Sequence, residues 1–397
     1  MAAVKHSQRA HALLSASGAS RWMNCTPSAR LEESLNIVDE GSDFAKEGTL
    51  AHEFGDLNLQ LLSGQYEPIG LEHLENELLE QRKSKFYTDE MEGQVEKYTD
   101  YVMEQFLAAQ QKDPLAILSI EEKLDMTHLI EDGFGTGDAC IIADGELEII
   151  DLKYGKGIRV EADDNPQLKL YGLGALDNYD MAYDIETVRL TIVQPRLDHV
   201  SSWVIPVENL QHWAETEVKT KAKLAYAGEG KTCSGDWCKW CKAKARCRAL
   251  AEKNLELAKH AFSDPDLLED DELLEVFKQI PGLTDWAKAV ESHIKSEAIK
   301  GKKWPGYKLV EGRANRKFKD PQMAMTTLSA KGYKYPDFSN TKIKGFGDLE
   351  KLLTKAKFNE ILGEQVIKPK GAPTLVPESD KRAPYAPTSA KDDFDDE

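Results

Sequence analysis

An α/β fold, a small mixed sheet flanked by helices and followed by a helical, partly basic C-terminal region, is what the sequence predicts, on three observations. Apolar residues at helical spacing, such as Phe54, Leu57 and Leu61, dominate the chain to about residue 111. From 115 to 153 the period changes to short Ile- and Leu-rich runs around the hairpin signal Asp144-Gly145. Asn165-Pro166 then opens another helix, and the strand-like Glu186 to Val193 follows at a distance that fits an αβ unit.

Residues up to about Cys25 form a leading segment, and Ser15 to Ser34 reads as a turn followed by a short helix. After a loop around Asn36 to Ser42, helices are expected over Phe44 to Leu62 and, long and amphipathic, over Met91 to Gln111. Leu115 to Leu124, Gly135 to Ala143 and Glu146 to Lys153 read as strands. Asn165 supplies an N-cap and Pro166 a first-turn proline, where its missing N–H costs nothing, for a helix to about Leu176. Cys233 to Leu250 is rich in cysteine and basic residues. Asp264-Pro265 starts a mostly helical stretch to Ile299, expected to split at Pro281-Gly282. Trp304 to Phe318 suggests a basic hairpin and Leu349 to Leu362 a last short helix. Pro373, Pro377, Pro384 and Pro387 among Ser, Asp and Lys predict that the chain from Gly371 onward stays unpacked. The expected organisation is a domain over 1–250, a helical region with a basic hairpin over 251–370, and a disordered acidic tail over 371–397.

Composition sets the limits. With 51 Lys and Arg against 69 Asp and Glu, the net charge is −18, and the 41 % hydrophobic content is enough for a sizeable core. Net acidity argues against nonspecific nucleic-acid binding, but the charge is uneven: eight basic residues face two acidic ones between Lys300 and Asp320. No apolar run approaches the roughly 18 residues of a membrane span, and Ala12-Leu13-Leu14 is too short for a signal peptide, so a cytoplasmic protein is expected. Six cysteines in that compartment point to metal ligation rather than disulfides.

Residues two apart on a strand share a face, so Asp151 and Lys153 point the same way while Ile150 and Leu152 point into the core. Asp138, on the preceding strand of the expected hairpin, can lie across from them. Two converging carboxylates repel unless a cation sits between them, and Mg2+ accepts one or two carboxylates with water and substrate phosphate. That is the minimum for metal-assisted phosphodiester hydrolysis, with Lys153 orienting the water or stabilising developing charge. Gln167 and Tyr171, four apart on the next helix, share a face toward the same strand end. Upstream, Gly48-Thr49-Leu50-Ala51-His52 puts a histidine away from the Phe54, Leu57, Leu61 stripe.

The order Gly48-x-x-x-His52, acidic strand Ile120-Glu121-Glu122, Gly135-x-Gly137-Asp138, Asp151-x-Lys153 and Gln167-x-x-x-Tyr171 resembles the RecB-type branch of the PD-(D/E)xK nuclease superfamily. The resemblance implies that His52, Asp138 and Asp151 bind Mg2+ or Mn2+, that Lys153 is the catalytic lysine, and that Gln167 and Tyr171 position DNA or that lysine. Glu121 or Glu122 is a further candidate for that site, and Glu122 reads equally as a solvated strand-end residue.

Cys238-x-x-Cys241-x5-Cys247 offers three soft ligands and leaves a fourth to be found, with Cys233 nearby and Cys25 remote. The iron-sulfur subset of the RecB-type nucleases has one cysteine before the core and this spacing after it. The resemblance therefore implies a [4Fe-4S] staple on Cys25, Cys238, Cys241 and Cys247 that closes the 1–250 domain. A Zn2+ knuckle of Cys233, Cys238, Cys241 and Cys247 is the alternative, since both metals take thiolates. Cys140, inside an apolar strand, reads as a core residue.

The stretch Asp151-Leu-Lys-Tyr-Gly-Lys-Gly with Asn165-Pro-Gln-Leu is similar to a stand-alone, phage-encoded branch found beside single-strand-binding proteins. It implies a DNA exonuclease of recombination or replication in the host cytoplasm, with DNA and a single-strand-binding or recombination protein as partners. The rival expectation is a non-catalytic DNA-binding or recombination scaffold on the same fold. The basic stretch with Trp304, Tyr307 and Phe318 suits DNA phosphates and bases, and the terminal acidic run around Phe394 suits a basic partner surface or simple solubility.

Overall fold

Helices enter first. The computed structural model describes residues 12–35, 42–65, 70–256, 269–312, 316–339, 343–367, 369 and 371–385. A 3-10 turn, Ala16–Gly18, leads into α1 (Ala19–Asn24) and α2 (Ser28–Ser34). α3 (Asp43–Ser63) starts where the Ser42 hydroxyl accepts the Ala45 N–H and stops at Gly64, whose φ of 74° only glycine adopts freely. α4 (Leu71–Gln81) was not expected; Leu74 and Leu78, one turn apart, bury it beside Leu50, Phe54 and Leu57 of α3. α5 (Asp89–Lys112) begins on the Thr88 cap, with Asp89, Glu90 and Glu92 in its first turn where the helix dipole favours them.

Five strands follow in one mixed sheet. β1 (Ile117–Asp125), β2 (Phe134–Ala143) and β3 (Gly145–Leu152) form an antiparallel meander, turned at Asp144 and at Gly145 with its φ of 87°. α6 (Pro166–Tyr179) crosses over to β4 (Ile185–Gln194), parallel to β3, and β5 (His199–Pro206) adds an antiparallel edge, giving the order β1-β2-β3-β4-β5. The sequence signal for β5 is weak because its exposed positions carry apolar residues, Val200 and Val204, so hydropathy does not follow burial along it. α7 (Val207–Trp213) runs through a π turn, Ala214–Val218, into α8 (Lys219–Ala227). Beyond the cysteines comes α9 (Arg248–Leu255).

Both faces of the sheet are covered. Leu147 and Ile149 pack with Val188, Leu190 and α6, whereas Ile150 and Leu152 pack with Leu59 of α3 and Tyr98 and Val102 of α5. Every residue of β3 from Leu147 to Leu152 is buried, so the core lies on both sides rather than only under Ile150 and Leu152.

α10 (Asp270–Ile299) is one helix. It does not split at Pro281, because the preceding turn is exposed and water can satisfy the carbonyl that proline leaves unpaired. Its expected start, Asp264-Pro265, lies outside the described residues, as do most of the loop at 36–42, Arg313 and the acidic end from 386. The chain divides into two units within this helix, Met1–Trp286 and Ala287–Glu397.

In the second unit β7 (Lys317–Phe318), α11 (Pro321–Ala330), α12 (Tyr335–Phe338), α13 (Phe346–Leu353), α14 (Lys355–Leu362) and β8 (Val366–Ile367) contribute to a core of Leu328, Phe338, Leu349, Leu353, Phe358 and Leu362, while β6 (Tyr307–Gly312) and β9 (Gly371–Pro377) form a separate strand pair. Three expectations are corrected. Trp304 to Phe318 is no hairpin, since β6 pairs with β9 and β7 with β8. Residues 349–362 belong to two helices, broken at Thr354 with a φ of 67°. The chain from Gly371 does pack at first, because β9 lies in a two-stranded pair where Pro373 and Pro377 are tolerated and Val376 is buried. Among the described residues no helix is long and apolar enough to cross a membrane.

Candidate active site

The β2–β3 register pairs Ala139 with Ile150 and so sets Asp138 opposite Asp151. The Leu152 N–H donates to Asp138 Oδ2 at 2.7 Å and fixes that carboxylate at the sheet end. On the other side the β1–β2 ladder pairs Ile120 with Ala139 and Glu122 with Gly137, leaving Glu121 and Asp138 unpaired between them. Glu121 has a φ of 50°, the left-handed region that a glutamate rarely occupies. The strand changes phase there: Leu118 packs on the α5 side and Leu124 on the α6 side, although simple alternation would put both on one face. The unpaired residues converge on α3, where ligand atoms of His52, Glu121 and Asp138 lie within 4.8 Å of one another, with His52 Nδ1 3.2 Å from Asp138 Oδ1. Glu122 turns away, accepting from Ser119 and, at 3.0 Å, from Asn178, so Glu121 is the glutamate that joins.

A second set adjoins the first. Lys153 Nζ is 2.8 Å from Asp151 Oδ2 and donates to Gln167 Oε1 at 3.1 Å, while Gln167 Nε2 donates to Asp151 Oδ1 at 3.0 Å and lies 3.3 Å from the Tyr171 hydroxyl. Local sequence explains the aim. Asn165 accepts the Gln167 and Leu168 N–H groups, so α6 starts with Gln167 over the strand end, and the Lys153 N–H is tied to the Val193 carbonyl at 2.9 Å. All six residues expected at the site, His52, Asp138, Asp151, Lys153, Gln167 and Tyr171, are thereby brought together.

Burial pushes the Asp151 carboxyl up, opposed by Lys153 and reinforced by Asp138. Burial works the same way on Asp138, but His52 and Lys153 outweigh it and hold that carboxyl below the usual range. For His52 and Lys153 burial opposes the cation; the aspartates prevail, raising Lys153 and lifting His52 to about 9. Glu121 is pushed up to about 7 by desolvation of its carboxyl and by Asp138 and Asp56, although the residue as a whole keeps solvent exposure. Like charges are thus held together on a strained backbone, with His52 and the Lys153 ammonium offsetting them. One imidazole beside hard carboxylate oxygens suits Mg2+ or Mn2+, so the donor set fits a divalent cation.

The cysteines occupy a separate place. Cys25, Cys233, Cys238, Cys241 and Cys247 line one small cavity of about 10 Å3. Cys238 lies in a 3-10 turn, Asp236–Trp240, and its sulfur accepts the Gly235 N–H at 3.4 Å. Burial and the neighbouring Glu32 push the Cys241 thiol up to about 12, so without metal it is a thiol. No three of these sulfurs lie within 4.8 Å of one another, wider than the about 3.8 Å that tetrahedral Zn–S bonds require. The cavity must open for an iron-sulfur cube or tighten for zinc, and the donor chemistry fits either. Cys140 is buried in the core, as expected.

Short motifs brought out Asp138, Asp151, Lys153, Gln167 and Tyr171, while His52 entered the expected site only through the resemblance carried by Gly48-x-x-x-His52. The choice of Glu121 over Glu122 had no sequence signal, since simple alternation gives no hint of the phase change. Residues 11–383 match the model of a family described as "Protein of unknown function (DUF2800)". The chain is also similar, at 14 % identity, to the solved structure described as "Crystal structure of SSO0001", over 56 % of this chain and 95 % of that one. The TM-score is 0.21, too loose to carry an argument.

Proposed function

The chain belongs to the DUF2800 family, whose function is unknown, and we propose that it is a Mg2+- or Mn2+-dependent deoxyribonuclease of the RecB-type PD-(D/E)xK kind, an exonuclease of phage DNA recombination or replication. The observation that supports it most is the convergence of His52, Glu121 and Asp138 within 4.8 Å beside the chain Asp151–Lys153–Gln167. His52, Glu121, Asp138 and Asp151 would hold the cation. Mg2+ or Mn2+ held there would lower the pKa of a coordinated water and polarise the scissile phosphate.

The chain's own groups do the positioning. Lys153 stays an ammonium because Asp151 outweighs its burial, and it donates to the attacking water or to the charge developing on the phosphate. Gln167 accepts from Lys153 and donates to Asp151, which fixes the amine at the strand end, and Tyr171 backs Gln167. The thiol cavity takes a structural [4Fe-4S] cluster, with Zn2+ as the alternative, and performs no step of the hydrolysis. DNA is the substrate, and a single-strand-binding or recombination protein is the partner class.

Linear and circular DNA incubated with Mg2+, Mn2+ or EDTA tests this. Loss of linear DNA from its ends with either cation, none with EDTA, and survival of the circle is the expected result. Intact linear DNA in all three conditions would refute the hydrolase.

A further inference from the structure

Five sulfurs line the thiol cavity, and a cluster or a zinc ion takes four from the protein. Three of them, Cys238, Cys241 and Cys247, come from one turn and the start of α9. The other two come from a seam between residues 24–30 and 226–233. Thr26 Oγ1 donates to the Glu229 carbonyl at 2.6 Å, Arg30 Nε to the Tyr226 carbonyl at 2.6 Å, and Cys233 Sγ to the Asn24 carbonyl at 2.7 Å. At Gly230, with a φ of 105°, an added Cβ would lie 2.3 Å from Thr26 Oγ1, so only glycine fits against the Thr26 side chain there. The seam delivers Cys25 and Cys233 to the same cavity, with Cys233 tied to the residue next to Cys25.

We propose that Cys25 and Cys233 are interchangeable ligands for one corner of the metal centre, so that either completes the site formed with Cys238, Cys241 and Cys247. The resemblance selects Cys25 and the zinc alternative selects Cys233; the seam offers both at one position. In the loaded protein the unused sulfur keeps its hydrogen bond or remains a free thiol beside the centre. This rests on the reading of the cavity as a metal centre, while the identity of the metal is a separate question.

Iron, sulfide and zinc content, with absorption and electron paramagnetic resonance spectra, are measured on full-length protein purified without oxygen. The samples are wild type, Cys25→Ala, Cys233→Ala, the double variant and Cys241→Ala, each checked for helix content by circular dichroism. Both single variants at Cys25 and Cys233 are expected to keep the wild-type metal content. Cys241→Ala and the double variant are expected to lose it. If iron is present, Cys25→Ala should also shift the spectrum, because the corner ligand has changed. Loss of metal in folded Cys25→Ala alone, or in Cys233→Ala alone, would overturn interchangeability, whatever the double variant does. Zinc in place of iron and sulfide would refute the cluster yet leave the ligand test intact, and wild type with neither metal would overturn both.

Discussion

His52 shows how a proton and a bound cation would compete for the site. Its folded pKa, about 9, lies above the ordinary 6.5, so in metal-free protein the His52–Asp138 pair stabilises fully below pH 6.5 and loses that contribution as pH rises through about 9. A cation takes only the neutral imidazole, so its binding must expel that proton. Mn2+ titrated calorimetrically at pH 7.5 in buffers of different ionisation enthalpy should release protons, and His52→Gln should release fewer; equal release would remove His52 from the site. Glu148 offers a control away from the metal. Burial raises its carboxyl to about 7 against the hydrogen bond it accepts from Thr191 at 2.7 Å, so stability is lost progressively as pH rises from the ordinary 4.5 to about 7 and stays lost above that. Glu148→Gln should stabilise the protein at pH 8 by up to about 3 kcal/mol and by little near pH 4, read from urea denaturation. At this scale the sequence identified residues whose chemistry is declared by type and spacing, such as Asp151 and Lys153. It could not separate Glu121 from Glu122, because the choice depends on one backbone φ.

Packing between α6 and β1 decides whether Gln167 reaches the strand end. A Cβ added at Gly174 of α6 would lie 2.9 Å from the Leu124 Cβ and 3.3 Å from Met126, so the helix must move outward to admit it. Gly174→Ala should destabilise by about 1–3 kcal/mol by overpacking and reduce cleavage more than DNA binding. Gly93 of α5 has open space around it, and Gly93→Ala should instead stabilise by about 0.5–1 kcal/mol. Thermal and chemical denaturation of both, with opposite signs expected, checks the helix seating. Elements with strong periodicity or a cap, such as α3, α5, α6 and β2–β4, were legible in the sequence. α4 was not, since only Leu74 and Leu78 mark it in an acidic stretch, and β9 was hidden because its stability comes from a partner strand about 60 residues away.

Charge is distributed at the scale of the whole molecule. Within a chain of net charge −18, the stretch from 300 to 370 holds 17 Lys and Arg against 7 Asp and Glu. Lys302, Lys303, Lys317 and Lys319 in it are exposed. If they meet DNA phosphates, replacing them by glutamate should weaken binding and flatten the slope of log Kd against log salt by about 0.7–0.9 for each phosphate no longer neutralised. Unchanged affinity and slope would leave the second unit without a part in DNA binding. The sequence placed this basic excess but not the fold that displays it, because β6 and β7 each find their partner far along the chain. The central claim is that these carboxylates and Lys153 cleave DNA rather than merely hold it, and a scaffold would bind equally well without the lysine. Single-turnover cleavage of end-labelled linear DNA in Mn2+, with DNA affinity measured alongside, separates the two. Lys153→Ala should lose on the order of 100- to 1,000-fold in rate while its affinity stays near that of wild type. Equal rates for the two proteins would contradict the account.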